Sequence, residues 1–225
     1  MKHSSVIWPL ILKDLRLQRN LIVLSIAGGA AGLALLQVRS EMPFVIGACF
    51  FFIAMIVLGM MLPGMNVLNE RKKHNLAFVM SLPISATQYM AAKIASTVGM
   101  FLIPWLTLIA GALYTITSHP GIPHGVIPLM FVLAGLVFVG FSVVTGVSIV
   151  SETEGWSIGA TILVNSAYGI GWYLIVRIPA VTRDLQSAAA IWSPIMLNFL
   201  TVEFVLIAMI LGLTFYLQSR KRDFI

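Results

Sequence analysis

Six long stretches of this chain, residues 21–37, 43–65, 94–117, 126–150, 156–176 and 199–218, contain no lysine, arginine or aspartate, and Glu203 is the one carboxylate among them. A hydrocarbon core about 30 Å thick is crossed by roughly 20 apolar residues in a helix. Backbone N–H and C=O groups in lipid find no water, so a crossing segment must satisfy them within itself or in a closed barrel. The period-two alternation of a barrel is absent. The sequence therefore predicts an all-α membrane protein of six transmembrane helices. Composition agrees: 59% of residues are hydrophobic and 10% charged, where a soluble domain carries roughly 25% charged residues.

Position decides what the net charge of +6 means. An even number of spans puts both termini on one side. With that side cytosolic, eleven basic residues fall inside: Lys2, Lys13, Arg16, Arg19, Arg71, Lys72, Lys73, Lys93, Arg220, Lys221 and Arg222. Three fall outside, Arg39, Arg177 and Arg183. That asymmetry is the orientation signal of a membrane protein, so the basic excess needs no nucleic-acid partner. Cys49 is the single cysteine, which excludes an internal disulfide or a zinc cluster built on thiolates.

The remaining segments have their own character. In residues 1–20, Trp8, Ile11, Leu12 and Leu15 share a helical face while Lys13, Arg16 and Arg19 lie off it. With Pro9 in a first turn, this predicts an amphipathic helix lying on the inner surface. His119 and His124 sit in "SHPGIPHG" with no third ligand nearby, so they read as turn residues and no metal site is expected. Residues 177–198 are too apolar for a free loop and, with Pro179 and Pro194, too broken for a span. Short helices dipping into the outer leaflet are expected there.

Residues 66–93 form the largest predicted cytosolic feature between spans. Within "NERKKHNLAFVMSLPIS", Glu70, Arg71, Lys72 and Lys73 stand in a row, and Leu76, Phe78 and Met80 follow. A helix from Asn69 to about Met80 is expected, ended before Pro83, with Ser85 and Gln88 capping the next one. Two readings fit: a topology signal on a surface-lying linker, or a docking helix with charge for steering and apolar residues for burial.

This segment resembles the cytosolic segment of the second-type export permeases of the ATP-binding-cassette (ABC) transporters. Glu70, Arg71, Lys72, Leu82, Pro83, Ile84, Ser85 and Lys93 occupy the places of that family's pattern. His74-Asn75-Leu76 departs from it, where many relatives carry a Gly-Thr-Leu-like sequence. The architecture is also similar over the whole chain, a single permease domain with an elbow helix, six spans and short helices between spans five and six. The resemblance implies that residues 69–80 are the coupling helix that meets two separate cytosolic ABC ATPases. Glu152 and Glu154 in "SETEGW" would add an acidic contact, or form a plain solvated loop. It implies a bacterial cytoplasmic membrane, with both termini cytosolic. ATP and magnesium would reside in the partner: none of this chain's six lysines follows a glycine, so a phosphate-binding loop is absent.

The resemblance also implies a dimer through spans one and five, with a second copy or a paralogue. The small residues there are Gly28 and Gly32, then Gly159, Ala167 and Gly171. Asn165, Tyr168 and Glu203 are the candidates for a substrate path. For Glu203 the alternative is an ion pair with Arg177 or Arg183, since an unpaired carboxylate is costly in lipid. A substrate-binding membrane subunit of an importer is the other transport reading. An intramembrane serine protease would need a histidine near a span serine, and all four histidines fall outside the spans; no enzymatic activity is expected.

Overall fold

A computed structural model describes residues 4–38, 40–68, 86–151 and 153–220. Among the described residues the chain is helical throughout, with no strand. The helices are α1 (Ser4–Leu36), α2 (Glu41–Pro63), α3 (Ala86–Ser118), α4 (Val126–Ser151), α5 (Glu154–Val176), α6 (Pro179–Asp184) and α7 (Pro194–Arg220). A π-helical turn, Gly64–Leu68, extends α2. Six of these helices are long and apolar enough to cross a membrane, over Leu12–Leu36, Met42–Asn66, Ala91–Ser118, Val126–Ser151, Glu154–Val176 and Pro194–Arg220. The six spans read from the sequence are thus present, most of them longer at one or both ends.

Two boundaries differ from expectation. Residues 4–36 form one unbroken helix, so no turn separates an interfacial segment from span one. Residues 177–198 hold one short helix, α6, rather than several. Pro194 does not break the chain there but opens α7. A proline in the first turn lacks only an N–H that would have no helical partner. The expected helix over 69–80 and its corner at 83–85 lie outside the described residues.

The two ends of the bundle are distinguished by charge. Lys13, Arg16, Arg19 and Arg220 mark a basic end, and the loops 119–125 and 177–193 form the opposite end. α4 is the axle, packing against α2, α3, α5 and α7. Its apolar window is 56% buried, against 17% for α5 and 11% for α7. α5 and α7 therefore lean on α4 and turn most of their apolar side chains outward, as lipid-facing helices do.

Close backbone approach sets the other half of the bundle. A methyl group on Gly32 of α1 would stand 2.7 Å from the Gly47 carbonyl oxygen of α2. Only paired glycines allow that contact. Further in, Phe101 of α3 stacks on Phe141 of α4 with centroids 4.1 Å apart. Gly59 of α2 lies against the Phe101 ring and the Phe141 Cβ, and a Cβ there would stand 3.2 Å from Phe101. Met55, Leu58, Leu62 and Met100 complete this core. A second apolar cluster closes the opposite end: Leu129, Val132 and Leu133 of α4, Ile175 of α5, Val181 of α6 and Met196 of α7. Val181 is fully buried, so α6 works as a plug. The Gly125 N–H donates to the Ser187 carbonyl at 3.0 Å and ties the loop before α4 to the segment after α6.

Candidate functional site

The charged stretch itself, with Glu70, Arg71, Lys72, Lys73, Leu76, Phe78 and Met80, lies outside the described residues, as does Glu152. Glu154 is exposed in the first turn of α5. The two roots of the charged stretch are described, however, and they are joined. Asn66 stands in the π turn at the end of α2, and Lys93 lies in the first turns of α3. Lys93 Nζ donates to Asn66 Oδ1 at 3.0 Å. It also donates to Asp14 Oδ2 of α1 at 3.2 Å. Asn66 Nδ2 donates to Thr97 Oγ1 at 2.7 Å. Ser96 Oγ lies 3.0 Å from both Asp14 Oδ2 and the Lys93 carbonyl oxygen, and its one proton can serve either. Asp14 and Lys93 are each 5% exposed, and Thr97 is wholly buried.

Local structure explains the cluster. Asp14, Gln18, Ile22, Ser25, Gly29 and Gly32 recur every three or four residues and are the buried face of α1. Asp14 is therefore aimed into the bundle instead of toward water. Pro63 cannot donate a helical hydrogen bond, and the wider π turn that follows swings Asn66 toward α3. A lysine and an aspartate buried together, with an amide and two hydroxyls around them, satisfy one another. Sequence reading missed this site. It placed Lys93 by charge sidedness and as part of the family pattern, and gave Asp14 no role. The available signal was an acidic and a basic residue, each at the basic end of a different span.

The residues expected at a dimer interface divide between two environments. Gly32 is covered by α2 of the same chain, and Gly28 faces Ala54 of α2 with a Cβ separation of 3.8 Å. Gly171 packs on Leu136 of α4. Gly159 has nothing within 4 Å of a built Cβ, and Ala167 is exposed. The outward small face of the chain is thus on α5, where Gly155 and Gly169 are equally open.

The three residues expected along a path are not brought together. Asn165 is exposed on α5 and its Nδ2 donates to the Thr161 carbonyl at 3.0 Å. Tyr168 reaches across Gly140 and its hydroxyl donates to the Val137 carbonyl of α4 at 3.0 Å. Glu203 lies on the other flank of α4, with Oε2 seated against Gly135. Gly135 and Gly140 are five residues apart, which separates their directions by about 140° around the helix. The ion pair considered for Glu203 does not form among the described residues. The Arg177 guanidinium lies over the Tyr173 ring at 4.2 Å, and Arg183 pairs with Asp184 at 3.3 Å. Glu203 is 6% exposed, and its Oε2 has no hydrogen-bond partner.

Two clefts open on the flanks of α4. One, of about 420 Å³, lies between α2 and α5 and is lined by Phe44, Phe52, Leu136, Tyr168 and Trp172. The other, about 360 Å³, lies toward the basic end between α4, α7 and Trp156 of α5. Both walls are mostly apolar, suited to hydrocarbon chains and not to charged solutes. No protein-family model matches this chain, and neither a curated protein nor a solved structure does.

Proposed function

We propose that this chain is the membrane-spanning permease subunit of an ATP-driven ABC exporter, with ATP hydrolysis in separate cytosolic subunits. The observation that carries the reading is the buried cluster Asp14–Lys93–Asn66, which binds both roots of the charged segment to α1 and to each other. A segment that receives a push from a partner must be fastened to the spans it moves. Here a pull at residues 69–85 meets α1, α2 and α3 together through side chains that are almost wholly buried. A loop serving only to set orientation needs charge but not such an anchorage.

On this reading the basic end faces the cytosol of a bacterial cell. Arg71, Lys72 and Lys73 steer a nucleotide-binding subunit, and Leu76, Phe78 and Met80 are buried against it. A second permease covers the outward small face of α5 around Gly159 and Ala167. ATP binding closes the two ATPases, and the motion passes through the anchored segment to open a path between the permeases. The apolar clefts suit a hydrophobic or amphipathic cargo.

The test is recovery of tagged protein from native membranes in mild detergent, with mass spectrometry of what accompanies it. A variant carrying Arg71→Ala, Lys72→Ala, Leu76→Ala and Phe78→Ala, checked for unchanged membrane insertion, is the control. A phosphate-loop ATPase that accompanies the wild type and is lost from the variant is the expected result. No ATPase, under conditions that preserve a known ABC complex, would sink the reading and favour an importer's substrate-binding subunit.

A further inference from the structure

We infer that Glu203 is a proton-binding carboxyl, loaded and unloaded from the basic end of the bundle along α4 and α7. The inference does not rest on the export reading. α7 packs on α4, α3 and α6. α4 carries no titratable side chain over its whole length. The Lys93 ammonium of α3 is bound to Asp14 and Asn66, and Tyr114 of α3 is exposed. On α6, Arg183 pairs with Asp184. On α7 itself, Arg220 lies over the Tyr216 ring. Among the described residues no cation faces Glu203, and no group of three His, Cys, Asp or Glu side chains stands ready to hold a metal ion.

Space narrows the ligand further. Gly135 sits so close to Oε2 that a methyl group there would collide with it. On its Gly135 side that oxygen leaves no room for a headgroup, whereas a proton needs no volume.

The direction follows from an asymmetry along α7. Toward the opposite end, Glu203 is followed by the apolar plug of Val132, Val181 and Met196, each almost wholly buried. Toward the basic end the buried side chains turn polar. Ser142, Thr145 and Ser148 lie on α4, and Thr214 and Gln218 on α7, all buried. Seven buried side-chain polar atoms in the described residues lack a hydrogen-bond partner. Five of them belong to these two helices: Thr145 Oγ1, Ser148 Oγ, Gln218 Nε2, Gln218 Oε1 and Glu203 Oε2. Buried groups of this kind are where ordered water binds, and such waters are the carriers of the proton in this inference. Glu203 and Gln218 are 15 residues apart, a rise of about 22 Å, or about three quarters of a hydrocarbon core roughly 30 Å thick.

Dicyclohexylcarbodiimide tests this in the full-length chain in native membrane vesicles. It crosses lipid and reacts only with a protonated carboxyl: the acid proton moves to a carbodiimide nitrogen while the carboxyl oxygen bonds the central carbon. The pH is clamped separately on the two faces. The basic face is identified by an impermeant maleimide on Ser219→Cys in a Cys49→Ser background. The expected result is one adduct on the peptide bearing Glu203, formed more slowly as pH rises on the basic face, indifferent to the other face, and lost in Glu203→Gln. Gln218→Leu should still be labelled at Glu203 but follow a pH step several-fold more slowly, which keeps the test decisive if Glu203→Gln does not fold. Absence of an adduct at every pH, or a rate that follows the other face or neither, overturns the inference.

Discussion

Two buried polar sites sit in this one bundle, and they are built on opposite plans. At the basic end, Lys93, Asp14, Asn66, Ser96 and Thr97 satisfy each other across α1, α3 and the π turn. Along α4 and α7, Glu203, Thr145, Ser148 and Gln218 are as deeply buried, yet each leaves an atom without a partner. A complete network is rigid, because every member is held by another. An incomplete one in a tightly packed bundle is a standing cost, kept where something other than stability requires it. Burial alone does not mark function; what separates the two sites is whether the hydrogen-bond inventory closes.

The sharpest way to break that contrast is to remove one titratable side chain from each. Lys93→Met leaves Asp14 buried without its ammonium, and loss of one partner of a buried pair costs about 3–5 kcal/mol. Lys13 Nζ, 3.7 Å from Asp14 Oδ1, pulls the figure toward the lower value. Unfolding in detergent, followed by fluorescence of a fused reporter, should show the loss. Combining it with Asp14→Asn should restore most of it. If the double variant is no better than the single one, the site is not a closed network.

Gly32→Leu addresses the glycine contact that holds the same half together. Its Cβ would meet Gly47 and Phe51 backbone atoms at 2.7 Å, and forcing the helices apart should cost about 1–3 kcal/mol. The same measurement applies, and an unchanged midpoint would mean that α1 and α2 do not depend on this approach. Glu203→Gln, by contrast, removes a carboxyl that no cation pairs among the described residues. Stability should stay level or rise by about 1 kcal/mol, since no hydrogen-bond partner is orphaned by the change. A loss like that of Lys93→Met would show that Glu203 has a hidden partner. The smallest effect is expected from Tyr168→Phe, which deletes one hydrogen bond between α5 and α4. Side-chain hydrogen bonds between membrane helices average about 0.6 kcal/mol, so the variant should be only just resolvable.

How much of this was legible in the sequence follows from range. Six spans could be read because hydrocarbon imposes a length and composition on each helix separately. The ends were read short. Lys93 and Asp14 look like boundaries to a rule that stops at charge, but inside the protein each has a partner 79 residues away in the sequence. The π turn that aims Asn66 had no pattern to announce it beyond Pro63 and Gly64. Glu203 stood out in the sequence as the one carboxylate within a span, but its direction around α7 relative to Arg177 and Arg183 depends on packing angles that a sequence does not print. Gly28 and Gly32 show the same limit: four-residue spacing reports that something comes close, not whether it is a helix of the same chain.

The unbroken length of α1 has a mechanical consequence. The helix is gripped at Asp14 and again at Gly32, 18 residues or about 27 Å apart, close to the roughly 30 Å thickness of hydrocarbon. A rod held at both membrane boundaries cannot tilt against its neighbours to follow a thinner or thicker bilayer. α5 and α7, which rest on α4 with most of their surface in lipid, are free to do so. Bilayer thickness should therefore act on the α5–α4–α7 flank while α1, α2 and α3 keep their geometry, which makes lipid chain length a handle on one half of the molecule alone.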